Sequence, residues 1–345
     1  MNQSIVALQA KPTLALNKTI GLAKTELFTS LFVASISATF RMEVVRVRYL
    51  CCSLAFFCGL LSSAIIFSPH NSTAALAQKF EPGCDVLPFE KIKLAHPIDQ
   101  TCPVGGSDAG PSGNAPHRLQ NEAKNNFCAT GTPQAVTTDA FEHLQTIVNN
   151  MKDLKWGEAA SLPPDRSVLK GLKVIDNGRS LTIGEGTKVS FVGFVLEAEH
   201  DDLETGEDVN CNKPGKENND IHISLLDTPP PSSTPVPNSI RCQAITAEIS
   251  PHYRPAVWDG FDSAKSLNAL KNRPVRITGT LLFDAAHRPC ENGTPSGKNP
   301  VRISVWEIHP VYAIDVCKNN KLSNCSISDN TAWTPYEQFA ATVNQ

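Results

Sequence analysis

From Lys188 to Val316 apolar residues recur in short runs of period two, the spacing of extended chain half-buried in a sheet. Lys188–Glu197 is apolar on both faces and carries Gly193 at its middle, where a strand bends or bulges. In Asp220–Leu226, Ile221, Ile223 and Leu225 alternate with Asp220, His222 and Ser224. In Arg241–Ile249, Gln243, Ile245, Ala247 and Ile249 oppose Cys242, Ala244, Thr246 and Glu248. Val275–Phe283 keeps Val275, Ile277, Gly279, Leu281 and Phe283 in phase. Val301–Val316 begins with apolar odd positions and ends with apolar even ones, which predicts a β-bulge at Trp306–Glu307. A helix is expected near Phe261–Asn272. Upstream the period lengthens. His117–Phe127 reads as a short helix with Leu119, Ala123 and Phe127 on one side. Thr138–Met151 reads as a better one, with Phe141, Leu144, Ile147, Val148 and Met151 in an apolar stripe and a capping-box-like start at Asp139 and Glu142. Ser180–Ile183 reads as a short strand.

Three strands, a helix and two more strands is the order of an oligonucleotide/oligosaccharide-binding (OB) barrel. The expected class is α+β, mainly β: a five-stranded OB-like Greek-key barrel over 187–317. A Cys-containing helical segment and connector over 78–186 precedes it, and a C-terminal tail over 318–345 follows. Two barrel loops are long. One, 200–219, is acidic; the other, 228–238, is rich in Pro and Ser and reads as solvated, extended chain.

The first 77 residues read differently. Arg41, Arg46 and Arg48 flank Met42, an apolar run spans Tyr49 to Phe67, and Ala75-Leu76-Ala77 offers a small-x-small cleavage site. That succession is a secretory signal peptide over 42–77, with 1–41 a gene-model extension ahead of it. The competing reading is a membrane anchor, since 19 apolar residues can span a bilayer. Six of the 31 Lys and Arg and two of the 34 Asp and Glu precede Gln78, which leaves 25 basic and 32 acidic residues. An acidic chain is not drawn to polyanions at long range, which counts against nonspecific nucleic-acid binding. Membrane contact is expected only through the leader, if uncleaved. Eight cysteines remain after Gln78, an even number without C-x-x-C spacing, and in an exported chain this reads as disulfides. The expected address is periplasmic or extracellular.

The segments NNDIHISL, CQAITAEISPHYRP, NRPVRITGTLLFDAAHRPC and NPVRISVWEIHPVY, with KNNFCATG upstream, resemble the recurring segments of an uncharacterised group of exported bacterial proteins. The likeness covers roughly Val189–Cys317. It implies an exported OB-like bacterial protein and supplies no catalytic residue.

Candidate chemistry follows from strand parity. In an OB barrel the second and third strands form a hairpin, and the fifth runs parallel to the third. Asp220, His222, Glu248, His252, Glu307 and His309 are therefore expected to face outward as one patch. Imidazoles with carboxylates are the ligand set of zinc or another borderline divalent ion, and also serve as acid–base pairs. The same residues can equally brace the sheet through cross-strand pairs. Arg276, Arg302 and Trp306 also point outward, as a stacking surface for a sugar or single-stranded base or as a surface covered by the N-terminal segment. Asp284 and His287 read as a loop brace. The acidic loop offers Asp201, Asp202, Glu204, Glu207 and Asp208 without the EF-hand spacing of calcium. No nucleophile-elbow, P-loop, zincin or dinucleotide motif is present. Topology predicts the disulfides Cys242–Cys290 and Cys211–Cys317, leaving Cys84–Cys102 by proximity and Cys128–Cys325 as remainder. The leading expectation is a non-catalytic exported binding or structural module with no cofactor. The alternative is a metal-dependent hydrolase using the His/Asp/Glu patch.

Overall fold

A computed structural model describes residues 78–84, 96–158, 161–296 and 300–343. The expected leader at 42–77 and the segment 1–41 lie outside the described residues. The elements run β1 (Gln134–Val136), β2 (Leu172–Asp176), β3 (Arg179–Ile183), β4 (Lys188–His200), β5 (Ile221–Leu226), β6 (Ile245–Ile249), β7 (Val275–Phe283), β8 (Trp306–Cys317) and β9 (Trp333–Pro335). The helices are α1 (Ala115–Lys124), α2 (Thr138–Asn149), α3 (Asn238–Arg241), α4 (Ala264–Leu270) and α5 (Tyr336–Val343).

Strands β4, β5, β6, β8 and β7 pair in that order, and β7 returns to β4 to close a five-stranded barrel. Only β6–β8 is parallel among these pairs, which is the OB arrangement. Closure depends on β4 serving two partners. Lys188–Gly193 pairs with β7 and Phe194–His200 with β5. At the changeover a Cβ on Gly193 would sit 2.4 Å from the Leu226 carbonyl oxygen, so the corner admits no side chain.

The bulge in the last barrel strand lies beyond its expected place. Register along β7–β8 slips on both sides of Gly279: Tyr312 is passed over between the partners Ala313 and Val311, and His309 and Pro310 lie opposite Thr280 between the partners Val311 and Ile308. Pro310 has no N–H for the ladder, and the Gly279 Cα lies against the Pro310 carbonyl, where a Cβ would come to 2.4 Å. No slip falls at Trp306–Glu307: the even apolar phase is already in place where β8 begins, with Trp306 opposite Phe283 and Ile308 opposite Leu281. Two strands also start later than expected: β6 at Ile245, after the helical turn α3, and β8 at Trp306.

One apolar core runs from Phe80 through the barrel interior to Ala340. The C-terminal residues, expected as a tail, pair β9 with the end of β8 and bury Trp333, Tyr336 and Ala340. Four disulfides tie the fold: Cys84–Cys128, Cys102–Cys211, Cys242–Cys290 and Cys317–Cys325. The expected pairs Cys211–Cys317, Cys84–Cys102 and Cys128–Cys325 are not formed. Strand β8 runs well past its last β6 partner, Ile308, and carries Cys317 to β9, opposite Trp333. The acidic loop instead folds over the barrel wall, where the N-terminal segment brings Cys102 to Cys211.

Candidate functional site

Every residue of β5 and β6 is buried, so the outward face of this hairpin is not a solvent face. Antiparallel register sets His222 opposite Glu248. Parallel register sets Thr246 beside Glu307 and Ala247 beside Ile308, so the next outward residue of β8, His309, comes alongside Glu248. Side chains of three adjacent strands thus form a row, with Asp220 and Glu307 two residues before it on the same face. Glu248 is its centre. Its Oε1 lies 3.2 Å from His222 Nε2, and its Oε2 lies 2.6 Å from His309 Nδ1. His309 Nε2 is 3.8 Å from Asp220 Oδ2, and its Nδ1 is 3.4 Å from Glu307 Oε1. The side chains of Asp220, Glu248, Glu307 and His309 are fully buried, and that of His222 is 3% exposed.

A cover made by the rest of the chain closes this chamber. Lys124 of α1 places Nζ 3.6 Å from Glu248 Oε2. Gln120 Nε2 donates to Asp284 Oδ1 at 3.1 Å, and Asn121 Nδ2 donates to Asp208 Oδ2 at 2.8 Å. Helix α1 therefore buries Gln120, Asn121 and Lys124, not the expected side of Leu119 and Ala123, because the surface it lands on is charged. From the acidic loop, Asn210 Nδ2 donates to Asp220 Oδ1 at 3.2 Å. Arg302, fully buried, bridges Glu307 and Asp284 at 2.7 Å each, and Asp284 also holds His287 Nδ1 at 2.5 Å. Asp284 and His287 do brace their loop, and the same brace reaches α1.

The charges respond to one another. Burial works against the Glu248 carboxylate, but His222, Lys124 and His309 hold its pKa well below the ordinary range. Burial likewise disfavours a charged His309, yet Glu248, Glu307 and Asp220 push it up to about 10. Glu307 is raised by burial and by Glu248 and Asp284, against the pull of Arg302. Several chamber atoms nonetheless lack a hydrogen bond: Asp220 Oδ2, His222 Nε2, both Glu248 oxygens, Glu307 Oε1 and both His309 nitrogens. They stand at ion-pair distances without hydrogen-bond geometry.

Of the six patch residues expected, five converge and His252 does not. The chain turns after β6, with Tyr253 at φ 56°, and carries His252 under the N-terminal segment. There its Nδ1 meets Asp99 Oδ1 at 2.9 Å and its ring stacks on Phe80 at 3.9 Å. Arg276, Arg302 and Trp306 form no common surface. Arg276 is paired with Asp315 at 2.9 Å and lies over the Trp333 ring. Arg302 is the buried bridge already described. Trp306 is fully buried against Phe283, and the residues before it, Ser304 and Val305, are bonded to Gln145 of α2. In the acidic loop Asp208 is tied to Asn121 and Ser107, and Asp201 faces His222 at 3.7 Å.

The cover residues Gln120, Asn121, Lys124 and Asn210 escaped the strand-parity argument. The one sequence signal for them is the run of polar residues at helical spacing in α1. A cavity of about 230 Å³ lies outside the cover, against Lys124, Glu207 and His287. A groove of about 640 Å³ lies between β1, the start of α2 and Arg179, away from the chamber. No family model, no curated protein and no solved structure matches this chain.

Proposed function

We propose that this chain is an exported, non-catalytic structural module, a disulfide-tied barrel whose usual ligand face is filled by its own N-terminal segment. One observation carries the reading. An OB barrel takes oligonucleotides or oligosaccharides on its second and third strands, between the loop joining strands one and two and the loop joining strands four and five. Here α1 contacts all three places: Lys124 meets Glu248 on the third barrel strand, Asn121 meets Asp208 in the first loop, and Gln120 meets Asp284 in the second. The Cys102–Cys211 bridge fastens the same segment to the first loop.

Export is supported by four disulfides, which persist in oxidising compartments. Among the described residues no helix is long and apolar enough to cross a membrane. Burial of the His/carboxylate row argues against the hydrolase alternative, because a hydrolytic site must admit substrate and water to its reacting groups.

The test uses the oxidised full chain exported from a bacterial host. Short single-stranded oligonucleotides and oligosaccharides are titrated against it at low salt, and phosphodiester, ester and glycoside substrates are incubated with it in the presence of zinc and of manganese. The reading expects no saturable binding and no turnover. Micromolar oligomer binding, or turnover abolished by Glu248→Gln, would overturn it, as would accumulation of a reduced chain inside the cell.

A further inference from the structure

We propose that Asp220, His222 and Glu248 hold a zinc ion in the barrel wall beneath α1. This goes beyond the scaffold reading and does not depend on it. One ligand atom from each residue can be chosen so that all three lie within 4.8 Å of one another. His222 Nε2 and Glu248 Oε1 face each other, and neither has a hydrogen bond, nor does Asp220 Oδ2. Unpaired buried polar atoms are costly, and each of these three residues carries one. Their spacing suits a metal. Bonds of about 2.0–2.1 Å in a tetrahedral zinc site put ligand atoms about 3.3–3.4 Å apart. His222 Nε2 and Glu248 Oε1 are already 3.2 Å apart.

The division of labour at Glu248 leaves room for the ion. Oε2 faces His309 and Lys124, while Oε1 faces His222 alone. Asp220 divides in a similar way: Oδ1 accepts from Asn210, and Oδ2, without a hydrogen bond, lies 3.8 Å from His309 Nε2. Of the nearby basic groups, Arg302 is committed to Glu307 and Asp284 and Lys124 to the far oxygen of Glu248, while His309 pairs with that same far oxygen and stands 3.8 Å from Asp220 Oδ2. One imidazole with two carboxylates is a borderline donor set, suited to zinc before calcium or magnesium. A second ligand group, Glu248, Glu307 and His309, shares Glu248. Arg302 on Glu307 and Lys124 on Glu248 make it the poorer of the two.

A sealed site loads as the chain folds, so zinc should leave slowly from the native protein and bind on refolding. The experiment starts with elemental analysis of the exported full chain, where near one zinc per chain is expected. The protein is then unfolded in guanidinium with disulfides intact and chelator present, and refolded with and without added zinc. The zinc-refolded protein should melt several degrees higher, and His222→Gln and Glu248→Gln should each weaken zinc uptake at least a hundredfold. Arg276→Gln, remote from the chamber, should take up zinc normally.

A wild-type chain that carries no stoichiometric metal and melts identically after either refolding overturns the proposal, whether or not the variants fold. Equal uptake by wild type and both ligand variants overturns it as well. Manganese in place of zinc corrects the metal's identity against the proposal. Zinc with no turnover leaves the scaffold reading standing, and zinc with turnover defeats that reading alone.

Discussion

Lys124 is the residue on which the buried charges balance. Its buried ammonium is held against Glu248, and although burial alone would lower its pKa, Glu248 and the neighbouring carboxylates raise it well above the ordinary value. Removing one partner of a buried pair leaves the other uncompensated, at a cost of about 3–5 kcal/mol. Lys124→Ala should therefore lower the unfolding free energy read from urea denaturation by that amount, while Lys265→Ala, an exposed substitution in α4, should leave it nearly unchanged. Away from the chamber, His200 gives a pH prediction. Its ring is buried and its Nδ1 meets Asp262 at 2.7 Å. Burial lowers its pKa below 6.5, outweighing Asp262 with help from Arg254 and Lys216. Below pH about 6.5 the unfolded chain binds the proton more readily than the native one, so stability falls as pH drops from 6.5 toward the depressed value. Denaturation measured between pH 7 and 5 should show a flatter decline for His200→Gln than for the wild type. Equal slopes would count against this account of the histidine.

The disulfides of this fold close loops of very different length. The Cys102–Cys211 bridge closes a loop of 109 residues, while Cys317–Cys325 closes one of 8. On the chain-entropy account these contribute about 5 and about 2.5 kcal/mol. Replacing both cysteines of the long bridge by serine should lower stability about 2 kcal/mol more than replacing both of the short one, read from guanidinium midpoints. The strand β4 offers a second measurement at this scale. Gly193→Ala puts a methyl group against the Leu226 carbonyl at the corner where β4 changes partners. The overpacking should cost about 1–3 kcal/mol, whereas Gly178→Ala, in the β2–β3 turn with open space around it but φ at 77°, is strained by its backbone alone.

At the level of the whole molecule, N-terminal segment, barrel and C-terminal helix share one apolar core, and Trp333 of β9 packs with the Cys317–Cys325 bridge in a small second cluster. Phe80 and Phe127 pack edge-on, and Tyr253 lies against both. Tyr336 packs on Phe261, and Trp258 donates to Glu337 of α5. The described residues should therefore unfold as one unit: with disulfides intact, tryptophan fluorescence and far-ultraviolet circular dichroism should report a single coincident guanidinium transition. An early separate step in either signal would show that the N-terminal segment is a detachable cover rather than part of the core.

The barrel was legible in the chain because period-two patterning, a central glycine and the order of strands and helix are local properties of sequence. Asp220, His222, Glu248, Glu307 and His309 could be grouped in advance for the same reason, since parity and OB pairing fix which side chains share a face. What parity cannot say is what lies over that face. Whether His222 and Glu248 meet water or Lys124 depends on where α1 lands, and α1 is nearly a hundred residues away in sequence. That same docking decides that Cys211 meets Cys102 and that His252 goes to Asp99. Pairings of this kind are settled by the summed burial and charge compensation of the assembled fold, for which no short stretch of residues carries a signature.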